Sequence, residues 1–521
     1  MPVGRAKTME TDGAREERRR QAELRAAAAE RRMRQQAPPS PSRAEGGADP
    51  QSKPGAARVG TWEAMNEKVL REVFTLLFGG SNVSKAIVTQ WTSQGLLLGR
   101  DDSFKHILLQ LQGGPCGVLA PVQAFLVKHL VFKTDFGGDL RSVTSGDITR
   151  ALKAALCETL WRAGDYEGGC LVRLSSPDWV ARVKAGVDLL GDTCDLDGLV
   201  PCVLGSLRIK RFSGRLDFLE ALGEALEDLR TDLGVLLVLL SILTTRGNER
   251  IQGDRDDPTQ PLITTPFGHA SQEVVNLFLC GKAATNVFDG DMEVGGDYRL
   301  RGISSRTQVG FLTLLESHNY LTVGSFLKEP EYPVWVLGSD SHYTVLFSLD
   351  RAAQEEPERV RREKGVRKVF DEFDKSGGGG FIERGDLAAV LSKARCAEGV
   401  LGDLGMQDVV TWHDLWARVS KSEFGEEEAA QAERTLQLYH VNGIAKSLGE
   451  EEAKPSLKAV TITLTKAMQA LPAEDVALAI DRACASEATA GKAQWCPLVD
   501  CIRTRWKQAE CHWVGDAPSM V

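Results

Sequence analysis

The 521-residue sequence has no apolar run near the ~18 residues a membrane-spanning helix needs. Its longest, Leu233 to Leu243, reads as a buried core helix. The N-terminus lacks an apolar segment followed by a small-residue cleavage site, so a secretory signal is not expected. Residues 1–58 are rich in Arg and Ala but hold eight acidic residues, which argues against a mitochondrial presequence. The eleven cysteines include no C-x-x-C pair, against zinc ribbons and disulfide scaffolds and in favour of a reducing compartment, cytoplasm or nucleus. H-E-x-x-H, G-x-x-x-x-G-K-[ST] and G-x-S-x-G are all absent, so zinc-peptidase, P-loop and serine-hydrolase chemistry have no support.

Apolar residues make up 42% and charged residues 26%, the balance of a globular chain of about three domain lengths. The net charge of −9 is unevenly spread. Residues 1–58 hold 13 Lys and Arg against 8 Asp and Glu, a net of +5 that leaves −14 for the remainder. A body of that sign is not expected to bind nucleic acid. Residues 1–58 contain no Phe, Trp or Tyr, and their Pro/Gly/Ser-rich second half predicts a disordered charged arm and linker. From about Thr61 the texture turns globular. Trp62 to Phe78 has helical spacing closed by Gly79-Gly80, and helical patterns dominate from 147 to 245. Tyr332 to Leu349 predicts two strands around a Gly-Ser-Asp-Ser turn, and 430–521 mixes helical patterns with a Cys- and Trp-containing tail.

The most informative segment is Gln110-Leu-Gln-Gly-Gly-Pro-Cys116-Gly-Val-Leu-Ala-Pro-Val-Gln-Ala-Phe. Two glycines permit a sharp turn, Pro115 stiffens it, and Cys116 opens a predicted apolar helix to about Phe132. A thiol at a helix N-terminus feels the positive end of the dipole, which lowers its pKa and favours thiolate. The same amides, with a Gln side chain just upstream, would hold an oxyanion. The alternative is a buried structural cysteine beside a Gly-rich turn. A thiolate nucleophile also needs a general base. His342 opens the second predicted strand, with alternation placing His342, Thr344 and Leu346 on one face. His269, in Phe-Gly-His-Ala-Ser-Gln, is the rival, and His106 is near Cys116 only in sequence; spacing does not choose among them.

Several blocks decide more than spacing does: QWTSQGL (90–96), QLQGGPCGVLAPVQAFLVK (110–128), PLITTPFGHASQEVVNLFLCGKAATNVFDGD (261–291), VGFLTLLESHNYLTVGSFLK (309–328) and PVWVLGSDSHYTVLFS (333–348). Weaker echoes are LYHVNGI (438–444) and CIRTRW (501–506). In this order they resemble the MINDY family of cysteine deubiquitinases, in its branch with an EF-hand-like insert. The resemblance implies an α+β, papain-like cysteine protease fold with a helical EF-hand-like insert. It further implies hydrolysis of isopeptide bonds in polyubiquitin, with a preference for lysine-48-linked chains. The family's nucleophile falls on Cys116, its general base on His342 and its oxyanion-hole glutamine on Gln110. His269, Asn286 and Asp289 match blocks without matching catalytic positions. The other class to weigh is a noncatalytic ubiquitin-binding or scaffolding protein on the same fold.

The implied division is 1–58 as arm and linker, 59–355 as the main catalytic part, 356–429 as the insert and 430–521 as the C-terminal catalytic part. Within the insert, Val369 to Leu387 looks like a calcium loop between helices. Starting at Asp374 puts Ser376 at position 3, Gly378 at 5 and Gly385 at 12, where a bidentate Glu belongs. Starting from Ile382 as position 8 puts Lys375 at position 1. Both registers lose carboxylates, so a metal-free helix–loop–helix is expected, and neither calcium nor any cofactor. The expected partners are polyubiquitin chains and ubiquitinated proteins, not a membrane.

Overall fold

The computed structural model describes residues 61–464 and 496–520, apart from 81–82, 135, 296–298, 355–357, 376–379, 397–407, 426–433, 446, 449–450, 453–454, 508 and 519. The arm and linker expected over 1–58 lie outside the described residues.

The first apolar stripe forms α1 (Glu67–Phe78). It starts at Asn66, whose side chain accepts the Lys68 N–H, and not at Trp62. Glu63 and Ala64 pair instead with Ile209 and Arg208 in a small sheet that also holds Gly169–Leu174. These strands interrupt the stretch expected to be helical from 147 to 245. α2 (Lys85–Trp91) leads to the Gln94–Gln112 region, and α3 (Cys116–Phe132) begins at Cys116 itself. α3 is buried nearly all round, because α4 (Ser145–Ala163), helix Gln272–Cys280 and a sheet enclose it. α5 (Gly234–Arg246) is buried at every residue, as its apolar run requires.

That sheet has six strands: β1 (Gly310–Thr313), β2 (Val334–Gly338), β3 (Tyr343–Phe347), β4 (Arg434–Asn442), β5 (Ser456–Leu464) and β6 (Glu510–Trp513). Their spatial order follows the chain; β1 and β2 are parallel and the others antiparallel. The two strands expected within 332–349 are β2 and β3, with Val345 opposite Val336. Period-2 alternation then sorts side chains between two cores. Val334, Val336, Val345 and Phe347 join the large core that includes α3. Trp335, Leu337, Leu346 and Leu438 join a second core with Leu498 and Ile502 of helix Pro497–Arg505. The strands β4, β5 and β6 correct the helical reading of 430–521; Leu436, Leu438 and His440 alternate with Gln437 and Tyr439, a strand period. The described residues are thus a mixed α+β structure, and none of their helices is long and apolar enough to cross a membrane.

Between β3 and β4 the chain makes helices Glu358–Phe373, Arg384–Lys393 and Trp412–Phe424. Two three-residue strands, Phe381–Glu383 and Val409–Thr411, pair antiparallel with Ile382 opposite Val410. Val366, Phe370, Ile382, Leu387, Val410 and Leu415 form a third core, separate from the other two.

The C-terminal half of α3 carries a buried ion cluster. Lys128 pairs with Glu158 of α4 and donates to Gln308 Oε1 at 2.7 Å, while His129 Nε2 lies 2.7 Å from the same Glu158 oxygen. Burial opposes charge on Glu158, but His129, Lys128 and Arg162 prevail and hold its carboxyl at about 2.

Candidate active site

Gly114 has φ +92, and a Cβ there would fall 2.3 Å from the Gly268 carbonyl oxygen, so only glycine permits this turn. The turn delivers Cys116 to the first position of α3, 1% exposed, with its thiol donating to the Gly114 carbonyl at 3.8 Å. The loop opposite is fixed by Trp91 Nε1, which donates to Gly268 O at 3.0 Å, and by the Ala270 N–H reaching Gly114 O at 3.4 Å.

Burial pushes the Cys116 thiol up to about 11, against the backbone N–H groups of Tyr343, Gly117 and Cys116 and the Gln110 side chain, which act to lower it. The helix-dipole argument predicted a lowered pKa; in this state loss of hydration outweighs it, and the thiol is protonated at neutral pH. His342 lies just before β3 and is buried. Its Nε2 sits 3.1 Å from Asn442 Oδ1 at the end of β4. Burial lowers its pKa, the Asn442 bond raises it, and nearby His269 lowers it. The thiol's hydrogen bond therefore runs to Gly114, and that of the imidazole to Asn442.

Gln110 is held along its main chain and at its side chain. Its N–H donates to Gly443 O at 2.7 Å and its carbonyl accepts the Ala445 N–H at 2.9 Å. Its Nε2 donates to Gln112 O at 2.9 Å, which leaves a second N–H on the amide. Gln94, wholly buried, spends its amide on the flanking backbone: Nε2 donates to Gly95 O and Leu109 O, and Oε1 accepts from the Leu111 and Gln112 N–H groups. A small pocket lined by Gln110, Gln123, Tyr343, Thr344 and Gly443 adjoins this segment.

A family model described as "Deubiquitinating enzyme MINDY-3/4, conserved domain" matches residues 75–363. The chain is 30% identical over 481 residues to mouse "Ubiquitin carboxyl-terminal hydrolase MINDY-3", covering 87% of this chain and 99% of that protein. The human protein of the same name is 30% identical over 482 residues, with the same coverage. The chain belongs to the MINDY-3/4 family of deubiquitinating enzymes. Human "Probable ubiquitin carboxyl-terminal hydrolase MINDY-4" is 35% identical over 292 residues, 54% of this chain and 36% of that protein. No solved structure matches the chain.

The other residues singled out within the MINDY blocks have clear places. The His269 carbonyl closes its loop by accepting the Thr264 N–H at 2.8 Å, while its ring stands near enough to His342 to disfavour the latter's charge. Its Nδ1 is buried without a partner in the structure. Asn286 braces a loop, donating to Asp256 Oδ2 at 2.7 Å and Arg301 O at 3.0 Å. Asp289 caps helix Ser325–Lys328, accepting from the Ser325 and Phe326 N–H groups. The His106 ring is buried and pushed down to about 4 by loss of hydration. Asp340, beside His342 in sequence, is exposed. Asn442 had no role at the sequence level; the echo LYHVNGI contained it, and only pairing of β3 with β4 brings it to His342.

Proposed function

We propose that this chain is a cysteine-type ubiquitinyl hydrolase with Cys116 as nucleophile, His342 as general base and acid, and Gln110 as oxyanion-hole donor. The observation that carries this reading is the place of Cys116 at the first position of α3, which packs against β3 just after His342, where the Gln110 side chain and the N–H groups of Cys116, Gly117 and Tyr343 act to lower the thiol pKa. Donors of that kind stabilise thiolate and tetrahedral oxyanion alike. A cysteine-bearing helix packed against a largely antiparallel sheet, with the histidine at the start of one strand, favours a papain-like arrangement. Asn442 then acts as the residue that orients His342, leaving Nδ1 for the thiol.

In the proposed reaction, ubiquitin's C-terminal tail displaces the thiol from the Gly114 carbonyl toward His342. The imidazole takes the thiol proton, and the sulfur attacks the carbonyl carbon of the terminal glycine. The second N–H of Gln110 and the Cys116 N–H receive the oxyanion. His342 returns its proton to the departing lysine amine, and then removes one from the water that hydrolyses the thioester. The substrates are polyubiquitin chains, lysine-48-linked chains foremost, and ubiquitinated proteins, in the cytoplasm or nucleus. All cysteines among the described residues are free, in keeping with a reducing compartment.

Residues 356–429 are read as an EF-hand-like insert in a catalytic domain formed by 59–355 and 430–521. Its separate core and its entry and exit through adjacent strands favour that division. The insert is read as metal-free. Lys375 Nζ binds Asp386 at 2.9 Å, and Asp374 Oδ2 accepts the Gly380 N–H at 3.0 Å, so both carboxylates are engaged. Ser376 and Gly378 lie outside the described residues.

The raised thiol pKa gives a noncatalytic ubiquitin-binding protein its one specific support. Cleavage of long lysine-48-linked chains by the wild type, beside Cys116→Ala, separates the two. Loss of chains with the wild type alone is expected; intact chains in both lanes, with no labelling by a ubiquitin probe bearing a C-terminal electrophile, would leave only binding.

A further inference from the structure

The two halves of the site meet in one short stretch of chain, beyond residues 75–363 that the family model matches. Asn442 Oδ1 lies 3.1 Å from His342 Nε2 and also accepts the Ile444 N–H at 3.1 Å. The next residue, Gly443, gives its carbonyl to the Gln110 N–H, and Ala445 gives its N–H to the Gln110 carbonyl. Residues 110 and 444 form a parallel bridge. One side-chain oxygen therefore closes the segment on itself and holds the imidazole, while the backbone on either side of Ile444 grips the glutamine.

We propose that Asn442–Ala445 is a single positioning element that sets His342 and Gln110 relative to each other, so that the base and the oxyanion hole move together. This rests on the roles given above to His342 and Gln110. The tight point is Gly443: a Cβ there would lie 2.3 Å from the Leu108 carbonyl oxygen, a backbone atom two residues before Gln110. Leu108 is itself fixed, its N–H donating to Gln123 Oε1 at 2.6 Å, and Gln123 is buried on α3. A side chain at 443 has to push the segment off residues 108–110, which loosens the Gln110 contacts and displaces Asn442 in one motion. Nothing in the arrangement requires the segment to touch substrate. Its effect belongs in the chemical step, since small misplacements of reacting groups cost on the order of 10²-fold.

The test uses full-length Gly443→Ala with two separate readouts. The base side is read by the pH dependence of Cys116 alkylation by chloroacetamide in the ubiquitin-bound protein. The oxyanion side is read by the affinity for ubiquitin aldehyde, which forms a tetrahedral adduct, relative to unmodified ubiquitin. The expected result is a kcat lower by tenfold or more, of order 10–10², with KM within about twofold, a displaced alkylation profile and a weakened aldehyde preference. A folded variant in which only one readout moves, or neither, overturns the proposal. If Gly443→Ala does not fold, Asn442→Ala takes its place. It removes the Ile444 contact and should also move both readouts; an altered alkylation profile with an unchanged aldehyde preference rejects the shared element. Asn442→Asp, which keeps the accepting oxygen, should restore the aldehyde preference. Failure of the parent reading looks different: Cys116→Ala would still cleave chains, or the wild type would form no aldehyde adduct at Cys116.

Discussion

His342 Nε2 and Asn442 Oδ1 are 3.1 Å apart across neighbouring strands and 100 residues apart in sequence. The amide oxygen accepts from the ring N–H, which fixes the tautomer that leaves Nδ1 unprotonated in the neutral imidazole. Replacing that neutral acceptor with a carboxylate changes the charge beside the ring. Asn442→Asp is therefore expected to raise the His342 pKa and move the pH profile of kcat/KM toward higher pH. An unmoved or downward-shifted profile would remove Asn442 from contact with the base.

The thiol is expected to behave as a protonated group before substrate arrives. With burial holding Cys116 up to about 11, its alkylation in the free protein should rise about tenfold per pH unit between pH 7 and 9. Peptide-level mass spectrometry at Cys116 follows this rate. A plateau reached below pH 7 would mean that thiolate and imidazolium are already paired without ubiquitin.

Removing the Gln110 side chain leaves the backbone contacts to Gly443 and Ala445 in place. Gln110→Ala should keep the thermal midpoint within about 2 °C and lower kcat by about 10²–10³-fold, as for other lost oxyanion donors. Gln94→Ala differs, because it strips the Gly95 and Leu109 carbonyls and the Leu111 and Gln112 N–H groups of their partner. It should lower stability by about 2–3 kcal/mol as well as activity. Thermal unfolding beside turnover distinguishes the pair.

Glu158 links acid stability to the helix that carries Cys116. Its folded-state pKa, about 2, lies below its ordinary value of 4.5, so it binds protons less readily folded than unfolded. The stability it contributes is present above about 4.5 and is lost as pH falls toward 2. Glu158→Gln should be less stable at pH 7, with Lys128 left without its carboxylate, by about 3 kcal/mol. The gap between variant and wild type should narrow below pH 4. A constant gap in urea titrations across that range would contradict the assignment.

Calcium gives a last check. With Lys375 on Asp386 and Gly380 on Asp374, millimolar calcium is expected to leave the melting temperature within about 1 °C. A clear upward shift would mean that the loop rearranges to expose its carboxylates, since a ligand bound only by the folded state stabilises it.

Local sequence by itself determined the elements whose physics is local. Gly-Gly-Pro-Cys favours a sharp turn into a helix, and the apolar runs on either side of Gly338-Ser-Asp-Ser341 favour two paired strands. The family blocks likewise named Cys116, Gln110 and His342 as the residues to examine. Their ionisation was not legible, because the helix dipole is a short-range effect that the sequence reveals, whereas the burial that outweighs it depends on what packs over the start of α3. Nor was Asn442, since nothing near His342 in sequence indicates which strand will lie beside β3 once residues 358–424 have folded between them. Partners made by strand pairing over a hundred residues depend on register and packing of the whole sheet, and only the tertiary structure fixes those.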